Sequence, residues 1–245
     1  MRPVRRGASP REVDYTDYTE AKPDLVARLG AYCSFCERPI ATQLAVEHVQ
    51  PKSVAEYAHL IGRWENFLLA CVNCNSTKGS KDVQPAHVFL PDRDNTFVAF
   101  DYLPDGTVNA GQTAVDAGVE QVANASLALT GLDKAALNTP DENGRQVALD
   151  RVRQRMEAWL VAEQANVDLA ADADAGVLRE YVAKLAASTG FFSVWMTVFE
   201  DDADMRRRLI LKFPGTDASG CFDRANGSPV TPCPNLDGLE AGGKI

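Results

Sequence analysis

The sequence is poor in three things. No run approaches the roughly 18–20 consecutive apolar residues of a membrane helix; the longest candidate, Phe191 to Phe199, is interrupted by Ser193 and Thr197. A membrane-spanning helix is therefore excluded. No apolar stretch follows the basic head Met1-Arg2-Pro3-Val4-Arg5-Arg6, so a cleaved secretory signal is not expected and the chain is assigned to the cytoplasm. Positive charge is the third shortage: 25 Lys and Arg against 34 Asp and Glu give a formal net charge of -9. Such a chain does not coat nucleic acid indiscriminately, because that affinity comes from neutralising phosphates. The deficit is uneven, however. Residues 1–90 hold 11 Lys and Arg against 10 Asp and Glu, and residues 91–245 hold 14 against 24, so the first part can still face a polyanion.

At 245 residues, 45% hydrophobic and 24% charged, the composition is that of a soluble globular chain with a sizeable core, one domain or one with an appendage. Residues 1–20, with Arg2, Arg5, Arg6 and Arg11, read as a basic, loosely packed arm. A short helix is expected between Ala21 and Gly30, because Pro23 suits a first turn and Leu25, Val26 and Leu29 share a face. Thr42 to Val49 reads as a strand ending near His48 and broken by Pro51, and Trp64 to Ala70 as a second apolar run. Asn75-Ser76-Thr77-Lys78 offers cap-type residues for a following helix. The order strand, loop, strand, helix results. Beyond it, a hairpin is expected to close at Asp105-Gly106. Helices are expected around 112–130, 144–165 and 176–199, a solvated connection over 166–176, and a tail over 215–245 with little regular structure. No repeat of fixed period is present.

Cysteine spacing carries the chemistry. Cys33-Ser34-Phe35-Cys36 and Cys71-Val72-Asn73-Cys74 are two C-x2-C hooks separated by 34 residues. In a reducing compartment such hooks are better explained by metal than by disulfides. Four thiolates suit tetrahedral Zn²⁺ and close its shell, so the metal is structural and staples the intervening chain. A redox C-x-x-C is the competing reading, and neither hook lies in a strand-to-helix redox setting. Cys221 and Cys233 lack hook spacing and read as unrelated thiols.

The stapled segment holds Glu47-His48-Val49-Gln50-Pro51-Lys52, then Trp64-Glu65-Asn66-Phe67-Leu68-Leu69, then Cys74-Asn75-Ser76-Thr77-Lys78. From Tyr32 to Lys81 this ordered combination resembles the zinc-containing members of the HNH endonuclease family. The resemblance implies a small ββα-metal finger, assigned to residues 21–90; with the hairpin and mostly helical region read over 91–214, the expected fold class is α+β. It further implies hydrolysis of DNA to 5′-phosphate and 3′-hydroxyl ends. His48 would be the general base, since an imidazole with an ordinary pKa near 6.5 accepts a proton at neutral pH. Glu47 and Asn75 would bind one Mg²⁺ or Mn²⁺, leaving room for water and phosphate. Asn66 would pin the loop that orients the base. Lys78 would neutralise a phosphate together with the positive end of the helix that Asn75 begins. Glu47 stands where Asp or His is common, and Asn75 replaces the final His, as in the related nuclease domain of RNA-guided effectors.

Taken singly, a His after Glu on a strand is usually a satisfied structural pair and an Asn after C-x2-C a cap; the combination favours catalysis over a non-catalytic zinc-stapled binding module. His59 falls in the loop before Trp64, within possible reach of substrate, and His87 reads as a surface residue. Trp64, Phe67, Leu68 and Leu69 read as core. Arg206-Arg207-Arg208 spread around a helix and cannot all face one partner. The N-terminal head and the C-terminal region also look like accessory nucleases of bacterial anti-phage operons, which implies an ATPase partner.

Overall fold

Helix α1 (Lys22–Leu29) begins with Pro23 in its first turn and buries Leu25 and Leu29. It stops at Gly30, whose φ of 75° and closeness to the Tyr32 ring, 2.7 Å from where a Cβ would sit, admit only glycine. The chain then turns through the first cysteine hook into strand β1 (Ala45–His48), which pairs antiparallel with β2 (Phe67–Ala70) in the register Ala45↔Ala70 to His48↔Phe67. All four residues of β2 are buried, as expected of an apolar run sandwiched on both faces. Helix α2 (Val72–Lys78) follows at once. Its N-cap is Cys71, whose sulfur accepts the Cys74 N–H at 3.4 Å. The second hook is thus itself the first turn, so the helix starts before Asn75, not at it.

The structure, a computed structural model, describes residues 1–134, 149–171 and 176–245. The expected hairpin is β3 (Phe100–Tyr102) with β4 (Val108–Ala110). Two helices, α3 (Gln112–Asp116) and α4 (Glu120–Thr130), occupy the stretch read as one; Gly118, at φ 70°, divides them. Helix α5 (Leu149–Ala171) runs through residues 166–171, expected to be a connection, because Leu169 follows Ala162 and Ala165 on its buried face. Residues 144–148 of the expected helix and 172–175 of the connection lie outside the described residues. Then come α6 (Gly176–Thr189), α7 (Phe192–Val198) and α8 (Ala203–Lys212). Among the described helices none is long and apolar enough to cross a membrane.

Two apolar cores result, and α5 belongs to both. Ala158 and Trp159 join the core of the ββα unit, the hairpin and α4; Ala162, Ala165 and Leu169 join the core formed with α6, α7, α8 and the C-terminal loops. Hence α5 is the beam on which both halves rest.

The basic arm is not loose. Arg2 and Arg6 are buried, and their guanidinium groups gather carbonyls that irregular chain leaves without helical or sheet partners. Arg2 donates to the carbonyls of Leu29 (2.6 Å) and Pro214 (2.5 Å). Arg6 donates to those of Glu65 and Phe67 and pairs with buried Asp92 at 2.7 Å. The C-terminal stretch has little regular structure, yet it is packed. The Asn95 amide donates to the carbonyls of Cys221 and Val230, both at 2.9 Å. That fold-back brings the Cys221 and Cys233 sulfurs within 3.0 Å, so these thiols are neighbours, not unrelated.

One hairpin recurs. Around Cys33 the bridge Tyr32↔Pro39 is framed by Cys33 N–H to Arg38 O, Glu37 N–H to Cys33 O and Ile40 N–H to Ala31 O. Around Asp223 the bridge Phe222↔Pro229 is framed by Asp223 N–H to Ser228 O, Gly227 N–H to Asp223 O and Val230 N–H to Cys221 O. The second hairpin has Asp223 and Asn226 where the first has Cys33 and Cys36.

Removing one partner of a fully buried ion pair leaves the other charge uncompensated and costs about 3–5 kcal/mol. Arg6→Ala leaves Asp92 still paired with Arg93 at 3.0 Å but takes the donor from the Glu65 and Phe67 carbonyls, so it is expected to lose less, about 1–3 kcal/mol in urea unfolding. Arg153→Ala, in an exposed pair with Glu157, is expected to leave the midpoint where it was.

Candidate functional site

Ser34 sits inside the first hook and grips β2 from both sides: its N–H donates to the Leu69 carbonyl at 2.7 Å and its hydroxyl accepts the Leu69 N–H at 3.2 Å. Because Cys71 directly follows β2, this clasp sets one hook against the other. The ligand atoms of Cys33, Cys36, Cys71 and Cys74 all lie within 4.8 Å of one another, and all four residues are buried. The Cys36 and Cys71 sulfurs are 3.7 Å apart. A tetrahedral ion with bonds of about 2.3 Å to sulfur needs edges of roughly 3.8 Å, so the donor set and its spacing fit Zn²⁺. Burial pushes the Cys33 thiol well up, as expected of a sulfur whose negative charge only a cation would offset.

Beside this cluster opens a cleft of about 260 Å³, lined by Tyr18, Glu47, His48, Lys52, Asn75 and Lys78 among others. Strand alternation sends Glu47 and His48 to opposite faces. His48 is the last residue of the ladder, and the chain turns away toward Pro51, so both residues border the same cleft. His48 Nε2 lies 3.0 Å from the Ile61 carbonyl. A carbonyl only accepts, so in the neutral ring Nε2 carries the proton and Nδ1 the lone pair. The ring packs edge-on against Phe67 and Tyr18, with centroids 5.3 and 4.7 Å away. Burial lowers the His48 pKa, and the cations of Lys52 and Lys78 lower it further, against an opposing hydrogen bond to Ile61.

Asn66 is placed by the end of the turn Trp64–Asn66 before β2. Its carbonyl oxygen accepts the Gln50 N–H at 2.8 Å, and its amide donates to the carbonyls of Gln50 (3.0 Å) and Leu60 (3.3 Å). With Val49 N–H bonded to its own backbone carbonyl, Asn66 clamps both ends of the loop that leaves His48. Asn75 lies in mid-helix on the cleft side, half-buried; among the described residues its side-chain amide has no hydrogen-bond partner.

Lys78 departs from its expected role. It is the last residue of α2, far from that helix's positive end, and only 2% exposed. Its ammonium pairs with Glu47 Oε1 at 2.8 Å and donates to the His48 carbonyl at 2.8 Å. The ammonium faces inward because Glu47 would otherwise be a buried carboxylate with no counter-charge. Burial still raises the Glu47 pKa, with Lys78 pulling against it. His59 is exposed, bonded to the Glu56 carbonyl and outside the cleft lining; His87 is also exposed.

Two cleft residues escape a reading of spacing. The Lys52 ammonium donates to the Tyr18 hydroxyl at 2.7 Å, at the exposed mouth of the cleft. Lys52 follows Pro51 within the motif segment and could have been marked as a cation after the base. Tyr18 stands in a polar lead-in without periodicity, and nothing local announces it.

A family model for HNH endonuclease matches residues 33–81, the segment that holds all four cysteines, Glu47, His48, Asn66, Asn75 and Lys78. No curated protein matches the chain. The purified protein is expected to carry one zinc per chain by elemental analysis, and Cys71→Ser to lose it together with a clear drop in melting temperature. A Cys71→Ser protein that keeps full zinc refutes the assignment of that ligand.

Proposed function

From the HNH endonuclease match and the cleft beneath it, we propose that this chain is a metal-dependent endonuclease that hydrolyses phosphodiester bonds of DNA. The observation that carries the reading is the meeting of His48, Glu47 and Asn75 on one cleft beside a cluster fit for zinc. His48 is the general base. With Nε2–H engaged by Ile61, Nδ1 takes the proton of the water that attacks phosphorus, and the 3′ oxygen departs to leave a 5′-phosphate. Burial keeps the ring neutral at physiological pH, the state a base requires.

The second oxygen of the Glu47 carboxylate and the amide oxygen of Asn75 are the donors for a single Mg²⁺ or Mn²⁺. Hard oxygen donors, few in number, match that cation's preference for retaining water and phosphate. When bound, it supplies positive charge to the phosphate and to the departing oxygen. Lys78 holds Glu47 in its ionised, oriented form and anchors the His48 backbone, so its contribution to catalysis is by positioning. Lys52, exposed at the mouth and steadied by Tyr18, is the cation that meets the phosphate backbone. Service as an anti-phage effector with an ATPase partner belongs to the same proposal and rests on sequence resemblance alone; residence in the cytoplasm rests on the apolar patterning of the sequence.

Plasmid nicking with Mg²⁺ or Mn²⁺ tests it. The parent is expected to nick, and His48→Ala to fall by about 10²–10⁴-fold, the usual worth of a general base. Equal cleavage by both refutes the assigned base. A parent inactive with every divalent metal leaves the non-catalytic, zinc-stapled binding module as the function.

The pH profile has a definite sign. Activity requires unprotonated His48, whose pKa lies below its ordinary value, so cleavage is expected to rise from acid to a plateau with its midpoint below about 6.5. Glu47, with its pKa raised by burial, takes up a proton on the same acid limb and steepens it. A midpoint above pH 7 contradicts the buried, neutral imidazole.

A further inference from the structure

Helix α5 buries two arginines against the first half of the molecule, and Arg151 reaches the cysteine cluster. Arg151 and Arg155 are one turn apart, so they share a face, and they are 4% and 3% exposed. Arg151 Nη1 donates to the Cys74 sulfur at 3.4 Å and to the Thr130 carbonyl at 2.8 Å, and Nη2 donates to the Gly131 carbonyl at 3.0 Å. Arg155 Nε donates to the Gly106 carbonyl at 2.6 Å, while its Nη1 is buried with no hydrogen-bond partner. Among the described residues neither arginine forms an ion pair with a carboxylate. Glu37, a carboxylate that acts on Arg155 through space, is paired with the N-terminal ammonium at 3.2 Å and accepts from the Ser193 N–H (2.8 Å) and hydroxyl (2.6 Å).

Two buried cations without carboxylates are costly unless negative charge lies close by. A divalent cation bound by four thiolates carries two net negative charges, and two guanidinium groups carry two positive ones. We propose that Arg151 and Arg155 are the counter-ions of the zinc tetrathiolate, positioning residues on a helix outside the matched segment, Arg151 by direct donation to a sulfur and Arg155 as the second buried charge. The inference rests on the zinc reading of the four cysteines and is independent of nuclease activity. Donation from Arg151 withdraws charge from the Cys74 sulfur and makes it a poorer nucleophile toward competing electrophiles. Arg155, one turn further along the same face and buried with Nη1 unpartnered, adds the second positive charge. Glycine 131 and Thr130, at the end of α4, orient the fork, so the charge balance ties α4, α5 and the ββα unit into one electrostatic assembly.

The test uses the full chain loaded with zinc. Zinc transfer to a chromogenic chelator is timed for the parent, Arg151→Gln, Arg155→Gln and Arg151→Lys. Outer-sphere partners of metal ligands typically contribute 10–100-fold in metal affinity. Each Gln variant is therefore expected to release zinc about 10–100-fold faster, with Arg151→Lys in between because charge survives but the fork does not. Melting temperatures with and without zinc supply the second readout. The loss is expected mainly in the loaded protein, since without the metal a buried arginine has less negative charge to balance. Release at the parental rate, or equal losses of melting temperature with and without zinc, would overturn the counter-ion role. Should Arg151→Gln fail to fold, Arg155→Gln and Arg151→Lys decide by the same criteria. A parent that binds no zinc refutes the zinc reading and this inference together, whereas a loaded parent with unchanged variants refutes this inference alone.

Discussion

Four sulfurs crowded within 4.8 Å and sealed from water are the constraint from which the rest of the structure follows. Unprotonated and without a cation they would repel one another strongly in a medium that screens poorly. Something must therefore bring them together and something must neutralise them. The Ser34–Leu69 clasp does the first, since it binds one hook to the strand that ends at the other. From the same strand pair come His48 at the end of the ladder and Glu47 beside it, and from the helix that opens on the second hook come Asn75 and Lys78. The cleft is a by-product of clustering the cysteines.

Electrostatics repeats this theme at two depths. Inside, several charges are matched at short range: Lys78 with Glu47, Arg6 and Arg93 with Asp92, Lys244 with Asp94. At the surface, the acidic second part of the chain spends its arginines on its own carboxylates. Arg207 and Arg208 both reach Asp204, and Arg206 donates to the Gly227 carbonyl. Two of the three consecutive arginines are thus paired with a carboxylate and Arg206 has only carbonyl partners, and the cleft mouth relies on Lys52 for its exposed positive charge.

What could be read in the sequence was whatever depends on near neighbours. The hooks, the ladder around Glu47 and His48, the stop at Gly30 and the hairpin at Asp105-Gly106 each follow from spacing or local backbone rules, while the loop clamp at Asn66 is implied by the family resemblance. What could not be read depends on contacts between distant segments. Arg2 looks like a solvated head until its carbonyl partner, 212 residues away, is in view. Cys221 and Cys233 lack any hook spacing and meet only because Asn95 folds the loop back. Lys78 has the right spacing for a phosphate ligand and points elsewhere, because the nearest unmet demand is a buried carboxylate. Propensity also misplaced the start of α2: a thiol is a rarer cap than Asn or Ser, and only the turn geometry of the hook makes Cys71 serve.

The recurrence of one hairpin at Asp223 bears on what the ion contributes. That loop closes with the same backbone bonds and has no sulfur at the two positions that Cys33 and Cys36 occupy in its twin. A knuckle of this design is self-supporting, so the ion arrives at a mould already cast. A bound ion would then be a second long-range weld beside the Ser34–Leu69 clasp, and stripping it away would loosen the two prefabricated pieces while each keeps its own form.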